Sequence, residues 1–394
     1  MPDAEINLDA LVLGGGITGL WTLHELINAG YDAVLIEHKA LGSAQTTASQ
    51  GILHAGAKYA LPGADIDSSK AVADVQAVWA DALAGKAGPD LSQAKTIDER
   101  TTLWTLPGLA SWVAFHAASG LMRSYVRRVP FEERPAAFKD APKRVQVFQT
   151  EERVLDPVSL VTALDAAVGG RTCSARVTAI ETKEGDARVT INTPDGTEAT
   201  IKTKAVILTA GEGNEDLIRL ANGKPDLMQR RPLAMLIAKN APAPVNGHCL
   251  QPSSVPRITV TTGELDGAPT WYIGGGIAER GPAQSDEELI EAAKVETAEC
   301  LPWLDQSALQ WHTLRIDRAE GRMPGNKRPP GPVVAEAAPR TIAVWPTKLV
   351  LAPVAAREVL NTLSRNGIQP AVDQDGSKSL IQTCPKAPIA RAAW

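Results

Sequence analysis

Two hydrophobic periods alternate over the first forty residues of the chain. Residues 8–13 form a short, almost continuously apolar run that predicts a buried strand. Residues 20–29 have the apolar spacing of a helix, and Gly30 follows as a residue suited to ending it. Residues 33–37 predict a second strand. A strand, a helix and a strand in this order indicate a βαβ unit, which requires a parallel sheet.

The rest of the chain predicts strands and helices in mixed order. Asp156 and Pro157 provide an N-cap and a first-turn proline, the usual start of a helix. Helices are predicted over residues 64–84, 157–168, 285–301 and 353–364. Strands are predicted over residues 176–180, 187–192, 198–202, 204–209, 258–262 and 270–273. The last twenty or so residues show no regular pattern.

Pieces of βα type recur on either side of two mixed stretches, which indicates a split architecture. The fold class predicted is α/β, with a Rossmann-like nucleotide-binding domain and an interleaved α+β substrate domain built on a mixed sheet. The first domain is assigned residues 1–83, 151–228 and 316–394, and the second residues 84–150 and 229–315.

Composition narrows the function classes. The 394 residues suit two joined domains, and the net charge of −5 gives no reason to expect a nucleic-acid partner. The four cysteines form no C-x-x-C pair and no cluster with histidine, so no metal site is predicted. Neither a signal peptide nor a membrane span is recognisable. We therefore expect a cytoplasmic protein whose membrane association is at most peripheral.

The turn between the first strand and helix has the spacing G-x-G-x-x-G, from Gly14, Gly16 and Gly19. Such glycines permit a tight turn, the approach of backbone to a pyrophosphate, and close packing of helix on strand. The second strand ends at Glu37, about twenty residues further on, where an acid would hold a ribose hydroxyl. Its charge would repel a 2′-phosphate, so NADP is not expected.

FAD suits the following segment better than NAD. After the second strand, an NAD domain should soon return to another βα unit. This chain instead continues with small polar residues and glycines, which offer hydroxyl groups and bare backbone to an extended cofactor. They are Gly42, Ser43, Thr46, Thr47, Ser49, Gln50 and Gly51.

Three segments carry a resemblance to a known family. TTASQGILHAGAKY (residues 46–59) resembles the D-amino-acid oxidase (DAO) superfamily, nearest its L-2-hydroxyglutarate oxidase and FAD-dependent glycerol-3-phosphate dehydrogenase branches. KAVILTAG (204–211) resembles the late sheet strand of glutathione-reductase-type flavoproteins, and PTKLVLAP (346–353) resembles a C-terminal element of the dehydrogenases. Together with the glycine turn, the resemblance implies FAD contacts at Gly14, Gly15, Gly16, Ile17, Thr18, Gly19, Glu37, His38, Thr46, Thr47, Ser49, Gln50, Gly51, Val177, Ala210, Gly211, Thr347, Lys348 and Leu349.

The sequence departs from the family at the substrate side. Trp345, Pro346 and Thr347 stand where the family usually has glycines. The family's Gly-x-Arg-Pro is absent before this element. The nearest candidates are Arg315, Arg318 and Arg322, and Arg318 is the best remaining anchor for a carboxylate or phosphate. Its rival interpretation is an ion pair with Asp317 or Glu320.

The resemblance also implies candidate catalytic residues. His54 would lie beside the flavin as a base, or in some branches as a covalent tether, although a structural histidine is the alternative. Lys58 and Tyr59 match a basic–aromatic substrate pair, and Lys58 could equally be an exposed loop lysine. A cation such as Lys348 near the flavin would stabilise reduced flavin. The run 273–280 contains further glycines, and the resemblance implies that it forms a tight turn near the substrate pocket.

These observations predict an FAD-dependent oxidoreductase that transfers a hydride from a small, anionic substrate to flavin N5. The substrate would be a 2-hydroxy acid, an amine or amino acid, or a polyol phosphate, and the electron acceptor oxygen or a quinone. A flavin-binding protein without turnover and an FAD monooxygenase remain alternatives. Reduction of the flavin by substrate or by NAD(P)H would discriminate among them.

Overall fold

The computed structural model describes residues 6–54, 66–108, 126–253, 255–371 and 375–394, and for residues 66–74 it describes only the backbone. Two large sheets dominate this part of the chain. Among the described helices, none combines the length and apolar composition that crossing a bilayer requires.

The strands follow one another in the order β1 Ile6–Leu13, β2 Ala33–Glu37, β3 Thr96–Asp98, β4 Thr102–Thr105, β5 Val126–Arg128, β6 Gln146–Thr150, β7 Val154–Leu155, β8 Thr172–Ser174, β9 Arg176–Thr182, β10 Ala187–Asn192, β11 Glu198–Leu208, β12 Met228–Lys239, β13 Gly247–Leu250, β14 Ile258–Leu265, β15 Ala268–Gly274, β16 Gln310–Gly321, β17 Val333–Ala338 and β18 Thr341–Trp345. The α-helices are α1 Ile17–Asn28, α2 Ile66–Leu83, α3 Pro157–Ala167, α4 Asn214–Leu220, α5 Gly276–Arg280, α6 Asp286–Cys300, α7 Ala352–Arg365 and α8 Gly376–Thr383.

The first sheet has a parallel centre in the order β18-β11-β1-β2-β8, with β17 antiparallel at one edge and the β9–β10 hairpin paired to β11. The apolar residues of β1 alternate between two cores. Ala10 and Val12 pack with helices α1, α3 and α7, whereas Leu11 and Leu13 pack with the hairpin, α4 and α8. This burial on both faces is the physical reason that its strands read as continuous apolar runs.

Two expectations about this sheet were wrong. Residues 198–202 and 204–209 are one strand, β11, because its first part pairs with β10 while residues 201–208 also pair with β1. The last twenty residues include the helix α8. Its Leu380 is fully buried, and its Gly376 lies so close to the Asn7 carbonyl that a Cβ would collide.

The second sheet is mixed, in the order β16-β12-β15-β14-β13-β4-β6-β5, and β13 and β4 are its parallel neighbours. Helix α6 covers one face and begins with a capping box between Ser285 and Glu288. β16 pairs with β12 over its whole length, from Gln310 to Gly321. The predicted domain boundary between residues 315 and 316 therefore falls inside one continuous strand. The domain division itself stays a prediction.

Candidate active site

A cleft of about 1250 Å³ lies between the two sheets. The glycine turn after β1, the end of β2 and the segment after β11 line one side, and residues of β12, β14 and β16 line the other. Among the described residues, seven lysines and arginines and four acidic residues line it, in a protein of net charge −5. The cleft is therefore an electropositive region of an acidic protein, which favours anionic ligands.

The glycine turn is held by packing that excludes side chains. Gly14 has a φ of +111°, and a Cβ there would collide with the backbone of Ala210. A Cβ on Gly19 would collide with the carbonyl of Gly14. Thr209 donates to the Gly14 carbonyl at 2.8 Å, which ties the segment after β11 to the turn.

The start of α1 lies on the wall of the cleft, where Gly16, Ile17 and Thr18 line it. Gly16 is the N-cap and supplies no side-chain cap, and no acidic residue occupies the first turn. The Ile17 N–H donates to Thr46 Oγ1 at 3.1 Å, and a Cβ on Gly16 would approach that oxygen to 3.2 Å. A helix start with this donor set and bare backbone fits a pyrophosphate.

Glu37 completes this end of the cleft. Its carboxylate is buried, and it accepts from the Gly15 N–H and from the Lys39 N–H, each at 2.8 Å. His38 lies beside it, with Nδ1 3.4 Å from Glu37 Oε1. These bonds fix the acid beside the glycine turn, the position that suits a ribose hydroxyl.

The loop of residues 43–51 connects the cleft to the second sheet. The Gln50 amide donates to the carbonyls of Thr259 and Tyr272, both at 3.0 Å. Gly51 has a φ of +67°, and a Cβ there would collide with the Leu155 carbonyl on β7. Gln50 therefore joins the loop to the second sheet, a role that the sequence did not indicate, and it also lines the cleft.

Trp394 and Tyr272 form hydrogen bonds to the backbone of the same loop. Their rings stack with centroids 4.6 Å apart and planes 8° from parallel. Trp394 Nε1 donates to the Ser49 carbonyl at 3.2 Å, and the Tyr272 hydroxyl donates to the Ala48 carbonyl at 2.8 Å. Because Ala48 and Ser49 line the cleft, these two aromatic residues set the position of its wall.

The segments after β11 and β18 meet on the cleft wall. Trp345 is fully buried and donates from Nε1 to the Gly211 carbonyl at 3.3 Å. Thr347 has a φ of +66°, which is strained for a β-branched residue, and its hydroxyl donates to the Gly331 carbonyl at 2.7 Å. Lys348 follows on the cleft wall.

Most of the predicted site residues line this one cleft. They are Gly15, Gly16, Ile17, Thr18, Glu37, His38, Thr46, Ser49, Gln50, Gly51, His54, Ala210, Gly211, Arg318, Thr347, Lys348 and Leu349. Gly14, Gly19, Thr47 and Val177 do not line it. The two glycines pack the turn, Thr47 is buried, and Val177 packs into the core of the first sheet. Lys58 and Tyr59 lie outside the described residues. All of these cofactor and substrate contacts stay predictions.

His54 belongs to a polar cluster that the sequence did not indicate. Its Nδ1 lies 3.4 Å from Oε2 of Glu152, and its ring stacks on His248 with centroids 5.6 Å apart. Glu152 and His248 are buried. One ligand-type atom from each of the three lies within 4.8 Å of the others, a spacing that a cation could bridge. No local spacing signals this cluster, because its members are brought together from distant segments.

Arginines form a second cluster that was only partly predicted. Arg318 lies on the cleft wall with Arg231 and Arg328. Arg231 is 3.3 Å from Glu320, whose carboxylate is buried, and Arg318 is 3.5 Å from Glu279. Among the described ion pairs, Arg318 contacts neither of the rival partners, Asp317 and Glu320; its partner is Glu279, and Arg231 contacts Glu320.

The electrostatics of this cluster favour an anion. Burial lowers the pKa of the Arg318 guanidinium, and the positive charge of Arg231 lowers it further, while Glu279 opposes the shift. Arg328 also lines the cleft, but its side chain is exposed, so water can solvate its charge. The shift at Arg318 means that surrounding protein groups do not fully compensate this cation.

Comparison with known proteins agrees with this geometry. The family model described as FAD dependent oxidoreductase (DAO) matches residues 9–356. The FAD-dependent oxidoreductase PA4991 of Pseudomonas aeruginosa is 38% identical over 397 residues, which cover 100% of this chain and 99% of that protein. Its crystal structure superposes with a TM-score of 0.80 and 34% identity over the structural alignment, covering 100% of this chain and 99% of that one.

More distant structures share the fold. The FAD-bound L-α-glycerophosphate oxidase of Mycoplasma pneumoniae has a TM-score of 0.67 at 17% identity, with 94% of this chain and 98% of that one covered. The glycine oxidase of Geobacillus kaustophilus has a TM-score of 0.63 at 15% identity, with 94% and 96% covered. These two oxidases are named for different substrates, glycerophosphate and glycine, so the shared fold does not identify the substrate of this chain.

Proposed function

Since the chain belongs to the DAO family of FAD-dependent oxidoreductases, we propose that it oxidises a small anionic molecule at a CH–OH or CH–NH group. The observation that carries the proposal is one cleft lined by the glycine turn, by His54 and by the arginines Arg231, Arg318 and Arg328. The candidate substrates are 2-hydroxy acids, amino acids or amines, and polyol phosphates.

The residues present fit FAD. The N–H groups at the start of α1 would receive the pyrophosphate, and Glu37 would receive the adenosine ribose. The backbone of the loop 43–51 and of residues 347–349 would contact the rest of the cofactor. When bound, FAD supplies an acceptor for a hydride, so the chain itself needs only to bind, orient and deprotonate the substrate.

His54 is the proposed base. It lines the cleft, its side chain is 21% exposed, and the buried carboxylate of Glu152 lies beside it. A neutral imidazole can take a proton from a hydroxyl or ammonium group as the hydride leaves. The carboxylate would stabilise the imidazolium formed in this step.

Arg318 is the proposed anchor for the anionic group, with Arg231 and Arg328 adding to the positive field. A guanidinium offers paired donors that match a carboxylate or phosphate. Glu279 is the nearest carboxylate to Arg318 in the described ion pairs, at 3.5 Å, and it is 37% exposed. A contact of this length and exposure is weak enough for an anionic ligand to replace.

A substrate panel tests the proposal. The FAD-loaded protein is mixed anaerobically with members of the three substrate classes and with uncharged analogues, and the flavin absorbance is followed. We expect bleaching by an anionic member and little by its ester or amide. Bleaching by NAD(P)H alone would indicate a monooxygenase, and no bleaching by any compound would favour a flavin-binding protein without turnover. Oxygen or a quinone added to the reduced protein then identifies the acceptor.

A further inference from the structure

Glu152 is fixed in place beside His54 by hydroxyl groups. The segment between β6 and β7 carries it, and its side chain is 2% exposed. Thr101 Oγ1 donates to Glu152 Oε2 at 3.4 Å, and the Glu152 N–H donates to Thr150 Oγ1 at 3.2 Å. The two threonine hydroxyls are themselves 2.6 Å apart. The carboxylate thus has a defined position before any ligand binds.

His54 is fixed on its own side. Its backbone N–H donates to the Ile52 carbonyl at 3.1 Å, and the Gln76 amide donates to the His54 carbonyl at 3.1 Å. The ring of His248 stacks on the imidazole and limits its rotation. His248 is itself held by a hydrogen bond of 2.8 Å between its Nδ1 and Thr259 Oγ1. The imidazole of His54 and the carboxylate of Glu152 are therefore each held in position by their own contacts.

We propose that Glu152 is a positioning residue that selects the tautomer of His54. A carboxylate accepts only, so the ring nitrogen facing Glu152 Oε2, which is Nδ1, must carry a hydrogen. The neutral ring then has its lone pair on Nε2, the atom needed to take the substrate's proton. The catalytic consequence rests on the proposed role of His54 as the base, whereas the tautomer itself does not.

A bridging metal ion is the competing explanation of the same cluster, since His54, Glu152 and His248 are grouped closely enough to hold one. A metal ion needs deprotonated nitrogens directed at it, whereas the tautomer proposal places a hydrogen on Nδ1 of His54. The two explanations therefore differ in whether Nδ1 of His54 carries a hydrogen, which can be measured.

Long-range ¹⁵N–¹H NMR on the FAD-loaded protein, labelled at its six histidines, reads the tautomer directly. His54→Gln assigns the His54 signals, and the spectra are recorded at a pH where the ring is neutral. We expect hydrogen on Nδ1 and a lone pair on Nε2 in the wild type. Hydrogen on Nε2, or metal-shifted nitrogens with one equivalent of zinc by elemental analysis, would overturn the proposal, and the elemental analysis needs no variant.

Two substitutions separate hydrogen bonding from charge. Glu152→Leu removes the acceptor and should abolish the Nδ1–H preference, whereas Glu152→Gln keeps an acceptor and should retain part of it. Glu151→Leu changes the exposed neighbouring carboxylate and should leave the His54 spectrum unchanged. Equal spectra for the wild type and Glu152→Leu would contradict the positioning role.

A double-mutant cycle on flavin reduction tests the catalytic consequence, with the substrate found by the panel. We expect Glu152→Leu to lower kcat at least tenfold with KM changed less than threefold, and to have no further effect in a His54→Ala background. An undiminished effect in that background would overturn the proposal. If His54→Ala alone reduces flavin at the wild-type rate, the base assignment fails, and the tautomer measurement still decides the position of the hydrogen.

Discussion

Arg231 and Arg318 are register partners on the antiparallel strands β12 and β16, and both side chains lie on the wall of the cleft. Like charges directly opposite one another destabilise a strand pair. Here the buried Glu320 lies 3.3 Å from Arg231, while Arg318 has a longer contact, 3.5 Å, to the partly exposed Glu279. The protein therefore compensates the charge of Arg231 more closely than that of Arg318.

Arg318→Ala should weaken the reaction with the anionic substrate while FAD remains bound. A charged hydrogen bond is worth about 1.5–3 kcal/mol, which corresponds to roughly a tenfold to hundredfold loss in kcat/KM. Steady-state kinetics and the flavin absorbance of the purified variant measure the two effects.

Arg315→Ala provides the control for this variant. Arg315 lies on the same strand, but it pairs with Asp286 at 2.8 Å and does not line the cleft. Its kcat/KM should stay within about twofold of the wild type, because an exposed ion pair contributes little. Equal kcat/KM values for the two variants would contradict the anchor role of Arg318.

Glu320→Gln should destabilise the fold, because it leaves Arg231 without its compensating carboxylate. Breaking a buried pair costs about 3–5 kcal/mol, and we expect roughly 2 kcal/mol here because Arg231 is partly exposed. Urea denaturation measures the free energy of unfolding. Glu336→Gln, at an exposed position on β17, should change it by less than about 0.5 kcal/mol. A loss no larger than that of Glu336→Gln would argue against the importance of the pair.

Gly16→Leu should abolish FAD binding with the fold retained. Gly16 has an ordinary φ of −74°, so a leucine there would not strain the backbone. Its side chain would instead occupy the space in which the backbone approaches the pyrophosphate. In the wild type, FAD at about 100-fold its Kd should raise the stability by about 2.7 kcal/mol. Thermal unfolding with and without FAD should show that rise for Gly185→Leu, at an open position, and none for Gly16→Leu.

Trp394→Ala should lower the affinity for FAD, because it removes both the stacking on Tyr272 and the hydrogen bond to Ser49. An aromatic pair contributes about 0.5–1.5 kcal/mol, so the Kd should rise roughly twofold to tenfold. Trp394→Phe keeps the stacking and should lose less. Fluorescence titration of the apoprotein measures the Kd. An unchanged Kd in Trp394→Ala would show that the loop 43–51 holds its position without this clamp.

Local pattern was sufficient where a feature is built from neighbouring residues. β2 spans the predicted residues 33–37, and the helix after Asp156 begins where its cap and proline indicate, with Asp156 accepting from the Ser159 N–H at 2.7 Å. The glycine spacing and Glu37 indicated a dinucleotide site because both belong to one βαβ unit. The predicted family and its FAD cofactor are confirmed.

Tertiary structure decided every feature that depends on which distant segments meet. The sequence marks neither Glu152 nor His248 as a neighbour of His54, since they lie 98 and 194 residues away along the chain. Nor does it indicate that Arg231 lies opposite Arg318, which is 87 residues further along the chain, because that depends on the register of β12 and β16. Periodicity reports how a segment alternates between core and solvent. It carries no information on the partner across a sheet or cleft, and the chemistry of this site is set by such partners.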